Sequence, residues 1–300
     1  MKVFFYNLIR RFFPQEYRNH LKKVLLQVNF RIRKVLIVFY GKVNNEELLK
    51  NITQKLGIGY DVLMIHSSFN DMLPMYNDNL KLLLNKIIEY CKLNNITLAM
   101  PAFILGDENY DLAKYYSKNF FDVNKSKSQM GLLTELFRRY PGVKRSIHPT
   151  HSVCAFGPLA DKLTRDHHLQ NTKCGIGTPF GYMSEFNTKI LGIGTKYYRV
   201  LTQVNSAEDM LKEKFPIHFN YLEQKSVTCI DQNGEKIIYT LPIIKREYLR
   251  DAYHVKKILK NANIYTWKFK GIPLFLTDAR KITSTIINAA RYGKTIYRKI

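Results

Sequence analysis

Residues 144–158 read KRSIHPTHSVCAFGP and set His148 and His151 three apart around Pro149, just behind the pair Arg145-Ser146. Such a cluster fits a metal clip, an imidazole base or a crowded turn. Two rings can share a metal in a His-x-x-His helix, but Pro149 disfavours that helix. No Cys or carboxylate stands at companion spacing either, so no metal is expected. An imidazole that titrates near neutrality suits the removal of a proton from an incoming amine or hydroxyl. His151 is the better candidate for that base, while His148 is equally placed to fix the turn. Arg145 offers a planar fork that pairs with a phosphate, and Ser146 adds a hydrogen bond.

Other residues could serve the same site. Ser67-Ser68-Phe69-Asn70 leaves an apolar run, DVLMIHSS, with small hydroxyls and exposed amides, a cradle suited to a pyrophosphate. Pro101-Ala102-Phe103 closes the next apolar run and belongs beside it, because ligands sit at strand carboxyl ends in α/β sheets. His66 is either an acceptor-side residue or a core histidine. Lys144, Arg138, Arg139 and the pair His167-His168 read as solvated helix ends. Gly175-x-Gly177-Thr178-Pro179 and Gly192-x-Gly194 read as turns that allow close backbone approach, since a nucleotide fingerprint needs a third glycine.

The elements that must position these residues alternate. Asn45 is the expected N-cap of a helix EELLKNITQKL ending at Gly57. Buried strands are expected at DVLMIHSS, ITLAMPAF, HSVCAFG and KILGIG, and helices at NLKLLLNKIIEYCKLNN, MGLLTELFRRY, PLADKLTRDHH and SAEDMLKEKF. Residues 104–128 read as a polar loop. Residues 226–244 form a hairpin turning at Asn233-Gly234. The chain then returns to helix (248–260), strands (263–275) and a last helix. This pattern predicts an α/β sandwich around a mixed central sheet. A basic N-terminal helical arm (1–42) precedes a domain over 43–300.

In this order the motifs IHSSF, AMPAF, GLLTELFRRYPG, RSIHPTHSVCAFGPLADKL, GIGTPF, KILGIG and TQVNSAED resemble the aminoglycoside 3-N-acetyltransferase family from about Asn45 to about Ala290. The resemblance implies direct acetyl transfer from acetyl-CoA to an amine, without a metal or an acyl-enzyme. It assigns Ser67, Ser68, Phe69, Pro101, Ala102, Phe103, Arg145 and Ser146 to the CoA side, and His66, Thr202 and Asn205 to the acceptor side. Drug-acetylating members commonly read Thr-x-x-His-x-x-Glu where this chain has Thr202, Asn205 and Glu208. Asparagine cannot take and hold a proton. A histidine of the HPTHS loop therefore does that work, or Glu208 acts directly, or the protein is an inactive relative. The preferred catalytic set is His151 paired with Glu208, beside His148.

The charge bears on the acceptor. The 300-residue chain carries 47 Lys+Arg against 24 Asp+Glu, a net +23. Polycationic aminoglycosides call for carboxylate-lined sites. A basic chain better suits an anionic sugar, nucleotide- or lipid-linked, as in surface-polysaccharide assembly, with antibiotic acetylation as the alternative. Residues 1–40 hold nine Lys/Arg against Glu16 alone, interleaved with aromatic and aliphatic clusters. This composition fits an anionic membrane surface, while no run approaches the roughly 20 apolar residues of a spanning helix. Aromatics grouped with aliphatics argue against nucleic acid as the partner. Four scattered cysteines without a signal peptide predict reduced thiols in a cytoplasmic protein, peripheral on the inner membrane face through its arm. The oligomeric state, a homodimer included, stays open.

Overall fold

In the computed structural model, residues 24, 27–28, 34–35, 37–107, 110–170, 172–245 and 247–300 are described. Most of the basic arm, with its expected membrane contact, lies outside them. Among the described residues no helix is long and apolar enough to cross a membrane.

The strands run β1 (Val62–Ser67), β2 (Thr97–Pro101), β3 (Phe121–Asp122), β4 (Lys144–Arg145), β5 (Val153–Phe156), β6 (Thr188–Ile193), β7 (Tyr221–Ile230), β8 (Lys236–Ile244), β9 (Tyr248–Arg250), β10 (Tyr265–Phe269), β11 (Ile272–Asp278) and β12 (Tyr297–Lys299). Seven form one mixed sheet in the order β10-β11-β6-β1-β2-β5-β4. Its centre, β6-β1-β2, is parallel, and antiparallel strands flank it on both sides. The parallel strands are mostly apolar because both faces are covered. Successive residues of β1 alternate between the two faces: Leu63 and Ile65 join one core, Val62 and Met64 the other.

The first core is closed by α1 (Asn45–Leu56), α2 (Leu80–Leu93) and α3 (Leu132–Arg138), through side chains such as Leu48, Ile52, Leu83, Ile87 and Phe137. The second is closed by α4 (Pro179–Glu185), α5 (Ser206–Leu211) and α6 (Ala279–Arg291), with Phe180, Ala207, Ile282 and Ile286. A sheet between two helical layers is the α/β sandwich expected from the alternation. Local signals set the helix ends. Asn44, one residue before the expected cap, closes a capping box with Glu47. Its neighbour Asn45 is buried instead, where it accepts from Tyr76 Oη at 2.5 Å.

Three elements differ from expectation. The hairpin β7–β8 leaves the main sheet and joins β3 in a second sheet with its own small core around Phe121, Val227, Cys229 and Leu241. Within the polar 104–128 loop, Leu112–Tyr116 forms a short helix. Residues 248–250, expected as helix, are a strand paired with the unexpected β12, the helix starting only at Ala252. Asp251 explains the delay, because its carboxylate caps the amides of Tyr253 and His254.

Candidate active site

A cleft of about 700 Å³ opens at the carboxyl ends of β1 and β2. His66 and Ser67 end β1 in its wall, and Ser68, Phe69 and Asp71 follow. Pro101 and Phe103 line it while Ala102, between them, turns into the core, the alternation of an extended chain. His151, Thr195, Arg199, Thr202, Asn205 and Arg250 stand in the same lining. The turn after β6 permits the close packing here. Gly194 has φ +71°, and a Cβ on it would stand 2.5 Å from the Ser68 carbonyl oxygen.

His151 is the histidine of the HPTHS loop that reaches this cleft. Phe103 packs on its ring with centroids 4.5 Å apart, and its Nδ1 meets Thr150 Oγ1 at 2.8 Å. His148 is buried behind it. Its Nδ1 accepts the backbone N–H groups of Thr150 (3.2 Å) and His151 (3.0 Å), so its Nε2 carries the proton and donates to Tyr239 Oη at 3.0 Å. The Thr150 hydroxyl also lies 3.3 Å from His148 Nδ1, to which it can only donate. Donation there leaves its oxygen to accept from His151 Nδ1–H, the arrangement in which the His151 lone pair lies on Nε2. Burial, then the nearby Lys173 and His167, holds the His151 pKa well below its ordinary value, so the ring is neutral.

Several expected roles are corrected by this geometry. Both nitrogens of His148 are committed to protein partners, so it is the turn-fixing residue and not a base. Arg145 is 5% exposed and donates inward: to Ser152 Oγ (3.0 Å) and to the carbonyls of Ala102 (2.8 Å), Ser126 (2.6 Å) and Val123 (3.4 Å). It staples the end of β2 to the HPTHS loop and leaves no fork for a CoA phosphate. Ser146, fully buried, accepts from Val153 N and contacts His167 Nδ1 at 2.9 Å. His167 is therefore a core residue, not a solvated helix end, and its Nε2 donates to the Lys173 carbonyl. The Arg138 side chain is 4% exposed, forked onto Glu135 and bonded to the Asn124 carbonyl.

The pair His151–Glu208 does not form. Glu208 accepts from Lys173 Nζ at 3.0 Å and from Tyr297 Oη at 2.5 Å, a contact that ties α5 to β12. Burial works against the charge on Lys173, yet Glu208, Tyr297 and Asp209 together raise its pKa. Asn205 and Thr202 do stand in the cleft wall.

Two cations escaped the sequence reading. Arg199 stands in the wall with Nη1 4.0 Å from Asp71 Oδ2. Arg250 Nε and Nη2 are buried and find no hydrogen-bond partner among the described residues. Arg250 lay in a segment with helical spacing, and no local motif marks a strand that pairs only with the chain's last residues.

The fold and cleft thus define an α/β enzyme-type domain with its ligand site at the carboxyl edge of a parallel core. The sequence model of the aminoglycoside 3-N-acetyltransferase family matches residues 64–290. This chain belongs to that family. Aminoglycoside N(3)-acetyltransferase IV of Salmonella sp is 27% identical over 186 residues, 60% of this chain and 66% of that protein. The chain's match thus spans just under two thirds of that relative's length. In structure, AAC-VIa bound to sisomicin superposes with a TM-score of 0.66 at 20% identity, over 84% of this chain and 99% of that one. AAC-IIIb with CoASH gives 0.63 at 19% identity, over 84% and 98%. At these identities the structural likeness establishes the fold.

Proposed function

We propose that the protein transfers the acetyl group of acetyl-CoA to an amino group on an amino-sugar acceptor, with His151 as the base. The observation that carries this reading is a neutral imidazole in the cleft wall, its Nδ1 held from behind by Thr150 and its backbone N–H by His148. The amine lone pair attacks the thioester carbonyl, a C–N bond forms and the C–S bond breaks. The nitrogen loses its proton to His151 Nε2, and the CoA thiolate leaves and is protonated. In this reading Ser67, Ser68, Phe69, Pro101 and Phe103 flank the thioester, and His66, Thr202 and Asn205 flank the acceptor. Dependence on acetyl-CoA places the reaction in the cytoplasm.

The relatives' names and the CoASH-bound neighbour support the donor and the reaction class. They also support acetylation of aminoglycosides better than surface-polysaccharide assembly, the acceptor class that net charge alone suggested. The test is thiol release from acetyl-CoA by the full chain, with sisomicin and glucosamine as acceptors, beside His151→Asn. Amine-dependent release that falls about 10²-fold or more in the variant is expected of a general base. Undiminished release in His151→Asn would falsify the assignment of the base.

A further inference from the structure

The acceptor side of the cleft holds a charge that the protein itself does not balance. Arg250 ends β9, opposite Tyr297 of β12 in the antiparallel register, and lines the cleft with His66. Its Nε and Nη2 are buried without a hydrogen-bond partner among the described residues. The nearby carboxylates are engaged elsewhere. Glu208 is held by Lys173 and Tyr297. Asp251 caps the following helix and contacts His254 and Arg298. Asp71, the one carboxylate among the described residues of the cleft lining, accepts from Ser68 Oγ at 3.1 Å and lies 4.0 Å from Arg199.

A guanidinium is costly to bury without an anion, and its donors are costly to leave unmade. It stays cationic here, its pKa brought down only to about 10 by burial. Burial, with the adjacent Arg250 charge, brings His66 down to about 3, so His66 adds no second charge beside it. The His66 Nε2 and Thr202 Oγ1 atoms, also buried and unpartnered among the described residues, lie in the same wall. Arg250, His66 and Thr202 thus bring to the wall of one cleft a fork of donors and two further polar atoms, all unpartnered among the described residues and closed off from solvent.

We infer that Arg250 seats an anionic group, a carboxylate or a phosphate, of the acceptor, which makes the substrate an acidic amino sugar and departs from the polycationic aminoglycosides that the relatives' names suggest. This rests on the acetyl-transfer reading and sharpens its acceptor. The planar fork matches both anions bidentately, and Arg199, paired with Asp71, leaves Arg250 as the uncompensated charge. CoA also carries phosphates, so the experiment must separate the two sources.

The full chain is assayed by thiol release with glucosamine, glucosamine 6-phosphate, 2-amino-2-deoxyglucuronate and sisomicin, in wild type, Arg250→Gln and Arg250→Lys. CoA affinity is measured by calorimetry, and the CoA-loaded proteins are melted with each sugar. We expect kcat/KM for the two acidic sugars to exceed that for glucosamine by about tenfold or more. That preference should vanish in Arg250→Gln through KM, fall partly in Arg250→Lys, and leave CoA affinity unchanged. Sugars that are bound without turnover are read from the melts, where only the acidic ones should raise Tm, and only with Arg250 present. An unchanged preference in Arg250→Gln, or no Arg250-dependent effect of either acidic sugar in either readout, overturns the inference. So does a tenfold loss of CoA affinity in Arg250→Gln with the sugar preference intact, which assigns the arginine to the cofactor's phosphates. Wild type that binds no CoA at all defeats the acetyl-transfer reading, while the melts with acidic sugars still decide the anion site.

Discussion

His148 Nδ1 accepts the backbone N–H of His151 at 3.0 Å, so one histidine of the HPTHS loop fixes the backbone from which the other reaches the cleft. Thr150 joins them, touching Nδ1 of His148 at 3.3 Å and Nδ1 of His151 at 2.8 Å. Thr150→Val removes this bridge without changing shape much and frees the tautomer of His151. The expected result is a loss of about tenfold in kcat with KM for acetyl-CoA unchanged, a modest fraction of a general base's full contribution. Nitrogen NMR of the ring should show the proton leaving its fixed position on Nδ1. A ring that keeps its tautomer in Thr150→Val would sink the relay.

Buried neutral histidines make stability depend on pH. Burial brings the pKa of His66 and His167 down to about 3. The unfolded chain binds their protons below about pH 6.5, while the folded one does not until about pH 3. Stability therefore rises with pH in that window and is lost on acidification, by about 2 kcal/mol per histidine at pH 5. Urea melts at pH 7.5 and pH 5, with His167→Asn as control, check this. The variant should lose less on acidification than wild type.

Arg145 separates structure from cofactor binding. Arg145→Met strips donors from the carbonyls of Ala102 and Ser126 and from Ser152, and should destabilise by about 3 kcal/mol. The fraction that folds should bind CoA with affinity close to wild type. A stable variant with a tenfold weaker CoA complex would restore the phosphate role suggested by the sequence.

Gly194→Ala places a Cβ at 2.5 Å from the Ser68 carbonyl oxygen and 2.6 Å from Met72 Cγ, at a φ of +71°. Strain and overlap together should cost about 2 kcal/mol or more. Because the displaced backbone is the Ser67–Phe69 loop, KM for acetyl-CoA should rise in the folded fraction. Denaturation and initial-rate measurements at two acetyl-CoA concentrations test both effects.

Much of this was legible from local chemistry. Apolar runs such as Val62–Ile65 read as buried strands because both faces of a parallel core are covered, whereas the helices capped by Asp111 and Thr178 lie where the sequence read a loop and a turn. The position of Ser67 and Phe103 at one edge followed from the rule that loops after parallel strands form the site, whereas His151 reaches that edge from the loop that enters the antiparallel β5. The cap at Asn44 was misplaced by one residue because Asn44 and Asn45 are chemically alike. Only the buried contact to Tyr76 distinguishes Asn45.

The sequence by itself determined the central strands of the main sheet, the family, and the loop that carries the candidate base. It could not say which cations are free, since an arginine's role depends on what faces its donors. Arg145 meets acceptors from three separate segments, carbonyls and a hydroxyl, and becomes a staple. Arg250 meets none among the described residues, because β12, nearly fifty residues later, brings Tyr297 beside it and leaves Glu208 to Lys173. Such contacts between distant segments leave no trace in spacing or composition. Tertiary structure alone turned one arginine inward and left the other facing the cleft.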